Sequence, residues 1–350
     1  MSLIEIITNP YVLGFIKALV VMAALMSTVP MLIYLERKIV ADVQVRLGPN
    51  RLGPLGVLQP LADAIKLMMK EDILPSGVDK FIYYLAPFLS IVAALLASAV
   101  IPFGPASWAV VADFHHSLLF SLAISSLAVY AVALGGWASN NKYSLMGALR
   151  ATAQMISYEL GMGLSLVALV MVTGSLSISE IVQQQNAFGW NIFRAPTLFI
   201  AFIVFVICGV AETNRAPFDL AEAETELTAG FHTEYSAFKF AMFYMAEYIN
   251  MLIISALVAG LFLGGWSGPG VHYDMVTHTV AGGWPFVILG IFWYLVKMAC
   301  FIFLYFWLRA SLPRFRYDQL MNFGWKVLVP VSLANIFLVG IFFAFKNHWF

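Results

Sequence analysis

Hydrophobic positions along the chain form long unbroken runs instead of strand-like alternation, and eight of them reach or approach the roughly 20 residues that a helix needs to cross a bilayer. They cover 11–34, 81–101, 118–137, 151–172, 197–212, 238–264, 285–308 and 325–346, the fifth being the shortest. Polar positions gather between the runs, unevenly. The segments 35–80, 138–150, 213–237 and 309–326 hold seven, two, one and four lysines and arginines, whereas 1–10, 102–117, 173–196, 265–284 and 347–350 hold Arg194 alone. Fourteen against one is the asymmetry of a polytopic protein whose basic loops stay in the cytoplasm, and an even number of spans then predicts both termini on the outer, periplasmic side. The first run has no basic stretch ahead of it and no small-residue cleavage site behind it, so it is expected to remain as a helix.

The fold class expected is therefore all-α: a polytopic membrane protein of about eight transmembrane helices, with 1–350 as a single membrane domain and the four basic segments as its cytoplasmic loops. Composition agrees, because 61% hydrophobic and 11% charged side chains leave too little polar surface for a water-soluble globule. The formal charge is zero, so no global field favours nucleic acid. Cys208 and Cys300 each sit inside an apolar run without a CxxC spacing, which excludes an iron–sulfur cluster or structural zinc built from this chain and predicts core packing for both. His115, His116, His272, His278 and His348 lie in outer segments without metal-ligand spacing, and His232 stands apart in another loop, so no metal is expected. Gly260, Gly264, Gly265, Gly268 and Gly270 end an apolar run and follow no strand, which suits helix packing and a turn better than a dinucleotide cradle.

Two loops carry the chemistry. The first holds Glu36-Arg37-Lys38 and then RLGPNRLGPLGVLQPLADAIKLMMKED from Arg46 to Asp72. Its Gly-Pro pairs bend the chain ahead of a helix that begins near Pro60, with Leu61, Ile65 and Met68 or Met69 on one face and Asp63, Lys66 and Lys70 on another, the pattern of an amphipathic helix on the cytoplasmic membrane surface. Such a helix can roof a cavity entered from lipid, or can simply be a solvated surface element. The second loop, ETNRAPFDLAEAETELTAGFHTE from Glu212 to Glu234, sets Glu212, Asp219, Glu222, Glu224, Glu226 and Glu234 against Arg215, a net charge of minus five. Clustered carboxylates repel one another and exchange protons near neutral pH, although an acidic loop docking on a basic partner would look the same. Within the spans lie Glu159, Glu247 and Lys297, with Glu36 and Glu212 at span ends. An unpaired charge at the bilayer centre costs at least ~2.5–3.5 kcal/mol, so such groups face the bundle interior, as an ion pathway or as buried ion pairs.

The runs RLGPNRLGPLGVLQPLADAIKL, AETNRAPFDLAEAETELTAGFHTEYS and RASLPRFRYDQLMNFGWK, together with Glu36-Arg37-Lys38, resemble the H subunit of bacterial NADH-quinone oxidoreductase, respiratory complex I, the family whose mitochondrial counterpart is the first NADH dehydrogenase subunit encoded there. The resemblance covers essentially the whole chain. Thr228 departs from it, at a position where relatives often carry an aliphatic residue, and leaves the acidic positions intact. The resemblance implies a multi-pass subunit of the inner membrane, part of a proton-pumping enzyme but with no flavin, metal or cluster of its own. Its implied partners are peripheral quinone-site subunits, antiporter-like membrane subunits, the lipid bilayer and a quinone substrate, ubiquinone or menaquinone. It further implies that Glu36, Arg37, Asp63 and Lys66, with Phe231 and Glu234, belong to a quinone chamber. Glu159, Glu212, Asp219, Glu222, Glu224, Glu226 and Glu247 would form an acidic path that moves protons or transmits energy, with Lys297 as its basic partner. A secondary transporter is the competing class, and the paired halves it requires are missing from the sequence; a structural anchor in a hydrogenase-like complex is the other.

Overall fold

A computed structural model describes residues 10–105, 109–219, 228–271, 273–274, 279–280 and 284–346. The chain opens with α1 (Pro10–Val43), whose 34 residues extend about 51 Å at 1.5 Å per residue, far beyond a ~30 Å hydrocarbon core. Hydropathy closes the first span at Tyr34 and opens a loop at 35. The helix instead runs on through Glu36-Arg37-Lys38, because leaving the lipid does not break a helix and the first breaking pair is Gly48-Pro49. A 3-10 turn (Pro54–Gly56) then leads into the surface helix α2 (Gln59–Met69). Leu61, Ile65, Met68 and Met69 are exposed, while Pro60 is buried and Asp63, Ala64 and Leu67 are partly covered.

The bundle continues with α3 (Lys80–Ser98), α4 (Ser117–Ala138), α5 (Lys142–Thr173), α6 (Ile178–Phe188), α7 (Asn191–Arg194) and α8 (Pro196–Glu212). After the 3-10 turn Gly230–His232 come α9 (Ala237–Phe262), a two-residue antiparallel pair β1 (Tyr273–Asp274) and β2 (Thr279–Val280), and α10 (Trp284–Ser311). Then follow α11 (Tyr317–Phe323), a π-helical turn (Gly324–Leu328) and α12 (Val329–Lys346), which together make one last span. Among the described residues seven stretches are long and apolar enough to cross a membrane, and an eighth, α8, has 17 residues, about 26 Å at 1.5 Å per residue. In lipid every backbone N–H and C=O must find an internal partner, which is why apolar runs of this length become helices.

α9 is the axis of the bundle: every residue from Met251 to Phe262 is buried. The larger core gathers there, with Tyr158, Leu169, Phe205 and Phe262 among its members. A smaller core of Tyr83, Ala148, Phe231, Tyr235 and Phe243 lies near the face that carries the charged loops. Cys208 is buried against α5 as expected, but Cys300 is exposed, on the outward face of α10, because an apolar run in a bundle also supplies the side turned to lipid. In the glycine cluster Gly260 packs in ordinary contact with Val182 and Tyr294, and Gly264, Gly265 and Gly270 take positive φ in the turn that follows α9.

Gly56 closes the bend before α2 at φ +82, and a Cβ there would lie 2.3 Å from the Pro49 carbonyl oxygen. Gly56→Ala should therefore destabilise the chain by about 2 kcal/mol or more. Thermal denaturation of the solubilised protein checks this, with Gly14→Ala, where a Cβ meets nothing within 4 Å, expected to match the parent.

Candidate functional site

Between α1, α2 and the start of α9 opens a cavity of about 450 Å³, lined mainly by apolar side chains such as Met26, Val29, Leu67, Phe238 and Met245. Its polar groups are Arg37, Asp63 and Lys66, three of the residues singled out in the sequence, and Tyr244. Asp63 accepts from Arg37 Nη1 at 2.6 Å and from Gln59 Nε2 at 3.2 Å, so its carboxylate is fixed where α1 passes the surface helix. An apolar vestibule with a few convergent polar groups is the usual construction of a small-molecule site.

Arg37 also belongs to the wall of a second cavity, of about 180 Å³, with Glu36, Val40, Arg46, Tyr244, Tyr248 and Arg309. Glu36, 4% exposed, is the hub there. Its carboxylate is paired with Arg309 and accepts from Arg215 Nη1 at 3.2 Å and Tyr248 Oη at 2.5 Å. The Arg215 guanidinium lies over the Tyr248 ring, 4.2 Å from its centroid, and its Nη2 stands 4.0 Å from Glu247 Oε2. Two arginines, one tyrosine and two glutamates thus share one network, buried at Glu36 and Arg215 and open to solvent at Arg309.

From Glu247 a small cavity of about 20 Å³, room for about one water molecule, runs to Glu212, with Ser90, Asn214, Phe231 and Asn250 in its walls. Oε2 of Glu212 is enclosed and meets no hydrogen-bond partner among the described residues. Glu212 lies beside Ser125 and Glu159 beside Ser126, on consecutive positions of α4. The turn that carries these groups is pinned by Gln154, whose Nε2 donates to the carbonyls of Ala211 at 2.8 Å and Phe218 at 2.7 Å. Asp219 turns the other way and accepts from Arg314 at 3.0 Å. Glu222, Glu224 and Glu226 lie outside the described residues, as do His272, His278 and His348.

The remaining sequence candidates stand apart from the vestibule. Phe231 packs edge-on against Phe243 at 5.2 Å in the smaller core, and Glu234 accepts from Asn141 Nδ2 at 2.6 Å. Beside Phe231, burial pushes the His232 imidazole down to about 4 against the opposing pull of Asp219, so this ring is neutral at physiological pH. Lys297 is the largest surprise. Its ammonium donates to the carbonyls of Leu263, Gly265 and Ser267 at 2.6, 2.8 and 2.6 Å, at the end of α9 far from Glu36, and lies over the Trp190 ring. These carbonyls belong to the turn just after α9, so the ammonium closes the C-terminal end of that helix, where a cation also favours the helix dipole.

Sequence reasoning passed over Tyr248, Arg309, Gln154 and Arg314 as members of the site. Tyr248 and Arg309 fall in or at the edge of apolar runs, and only the isolation of Arg215 within an acidic loop signalled that a cation was needed there.

The sequence profile of the family described as NADH dehydrogenase matches residues 16–340. Of the H subunits of NADH-quinone oxidoreductase, the one numbered 2 in Koribacter versatilis is 47% identical over 95% of this chain and 97% of its own length. The one numbered 1 in Solibacter usitatus is 44% identical over 98% and 100%, and that of Protochlamydia amoebophila 50% identical over 88% and 91%.

Proposed function

Because the chain belongs to the NADH dehydrogenase family, among the H subunits of NADH-quinone oxidoreductase, we propose that it forms part of the quinone-binding chamber of that enzyme and couples quinone reduction to proton translocation through its carboxylates. The electrons come from NADH oxidised on partner subunits. The quinone takes up two electrons and two protons to become quinol, and the charge that develops on its oxygens is stabilised by nearby cations and acids.

The observation that carries this reading is the position of Arg37, common to the apolar vestibule and to the inner cavity of Glu36. A quinone entering from lipid slides its tail between α1, α2 and α9 and brings its ring toward Arg37, Asp63 and Lys66. The change in charge on reduction is felt by Glu36 and Arg215 and passes through Glu247 and Glu212 to Glu159. Asp219, Glu222, Glu224 and Glu226 belong to the same acidic path, which hands the change on toward the antiporter-like membrane subunits. Phe231 walls the passage between Glu247 and Glu212, while Glu234 stiffens the loop behind it. Lys297 anchors the far end of α9. The chain works in the inner membrane with its basic loops in the cytoplasm and its termini in the periplasm, between peripheral quinone-site subunits and antiporter-like membrane subunits, and takes ubiquinone or menaquinone as substrate.

Membranes holding the assembled complex are labelled with a photoreactive quinone analogue and the labelled peptides mapped, with natural quinone as competitor. Competed labelling within 36–72 is expected, and labelling confined to other subunits would sink the reading. Asp63→Asn, which leaves Arg37 without its anionic partner, should lower quinone reduction at least about tenfold, equivalent to ~1.4 kcal/mol at the transition state, with NADH oxidation by a water-soluble acceptor retained.

A further inference from the structure

Lys239 lies near the start of α9 with 5% of its surface exposed, a buried cation that hydropathy counts as part of a span. Such a charge persists only with compensation close by. Its ammonium is 2.9 Å from the Asp72 carboxylate, on the segment that leaves the surface helix three residues after Met69. The rings of Tyr83 and Tyr84 flank the same ammonium, with centroids at 4.4 and 4.6 Å, inside the range of a cation–π contact. Next to this pair, Ser236 Oγ accepts from the Ile73 N–H at 3.1 Å. Tyr83 donates to the Glu234 carbonyl at 2.6 Å and stacks on Tyr235 at 4.3 Å. The segment leaving α2 is thus fastened twice to the segment entering α9.

What it fastens are the two walls of the vestibule. Lys66, Leu67 and Met68 on α2 form one side, and Phe238 and Phe240, the residues on either side of Lys239, form the other. We propose that the Lys239–Asp72 pair is a latch that fixes the spacing of these walls and so governs the entry of long-tailed quinones. Lys239 acts as a positioning residue, and the reacting ring is handled by other groups. Asp72, whose side chain is 46% exposed, is the arm that can release; Lys239, held between two rings, is the fixed arm. This inference rests on the chamber reading.

The test compares Asp72→Asn, Lys239→Met, the double variant and Lys239→Arg in membranes containing the whole complex. NADH oxidation is followed with a long-tailed quinone, a tail-less quinone analogue and a water-soluble acceptor that bypasses this chain. If an unlatched vestibule keeps its shape for about a tenth to a third of the time, the KM for the long-tailed quinone rises about three- to tenfold. The kcat, the KM for the tail-less analogue and the acceptor rate should stay near the parent values. Lys239→Arg should restore most of the affinity, and the double variant should be no worse than either single one, since both break one interaction. An unchanged KM for the long-tailed quinone overturns the latch, as does a parallel fall in kcat and acceptor rate, which would mark a merely structural role. Photolabelling of the parent separates the two readings: labelled walls with an unchanged KM reject the latch alone, and unlabelled walls reject the chamber with it.

Discussion

Glu36→Ala is expected to destabilise the chain by about 3–5 kcal/mol and to lower quinone reduction at least about tenfold in the complex that still assembles. Glu36 is the anion that Arg215, Arg309 and Tyr248 all address, and it is almost wholly shielded from water. Arg215 is itself buried, and its Nε and Nη2 already lack hydrogen-bond partners among the described residues. Removing the carboxylate therefore leaves the buried Arg215 guanidinium with only Glu247, 4.0 Å away, as counter-ion, while the Arg309 side chain, 44% exposed, turns to water. Glu36→Gln separates shape from charge: it keeps an acceptor for Tyr248 and removes the counter-ion. Thermal denaturation of the purified complex together with quinone reductase activity checks both variants. If Glu36→Ala behaves as the parent in both, the network contributes neither to the fold nor to catalysis.

Lys297→Met should cost about 3 kcal/mol or more, because three carbonyls lose their donor at once and each stripped carbonyl costs about 1–3 kcal/mol. The geometry is that of a compact ammonium at the meeting point of Leu263, Gly265 and Ser267, which the flat fork of an arginine does not reproduce, so Lys297→Arg should be only a partial rescue. The expected result is a lower melting temperature and less accumulated complex, while the complex that survives retains quinone reduction within about twofold and pumps normally, since a C-terminal cap contributes to the fold and not to the chemistry. Unchanged stability with lost pumping would instead make the lysine a mover of protons.

The spans were legible because twenty consecutive apolar residues need no partner information to become a helix in lipid. Their ends were less so. The excess length of α1 and the early start of α5 at Lys142, where the Asn141 side chain accepts from the Tyr143 N–H, depend on caps and breakers that hydropathy averages away. Asp63 and Arg37 could be paired in thought because both lie in one loop region of obvious pattern, 26 positions apart. Glu36 could be marked as ionisable at a span end, but its partners lie 179, 212 and 273 positions downstream, and no period in the sequence links them. Lys297 misled for the same reason. A lysine inside an apolar run suggests a carboxylate partner, and nothing in the pattern says that the turn after the preceding helix offers it three carbonyls. Lys239 escaped notice because a window of hydropathy absorbs a single charge.

The unbroken burial of α9 from Met251 to Phe262 has an electrical meaning. Ser255, the one hydroxyl of that stretch, donates to the Met251 carbonyl, and the helix end beyond it is closed by Gln185, Asn191 and Lys297. Material of this kind is a dielectric, like the layer between the plates of a capacitor. A charge added near Glu247 is screened little by such material, so its field reaches farther through the bundle than it would through water.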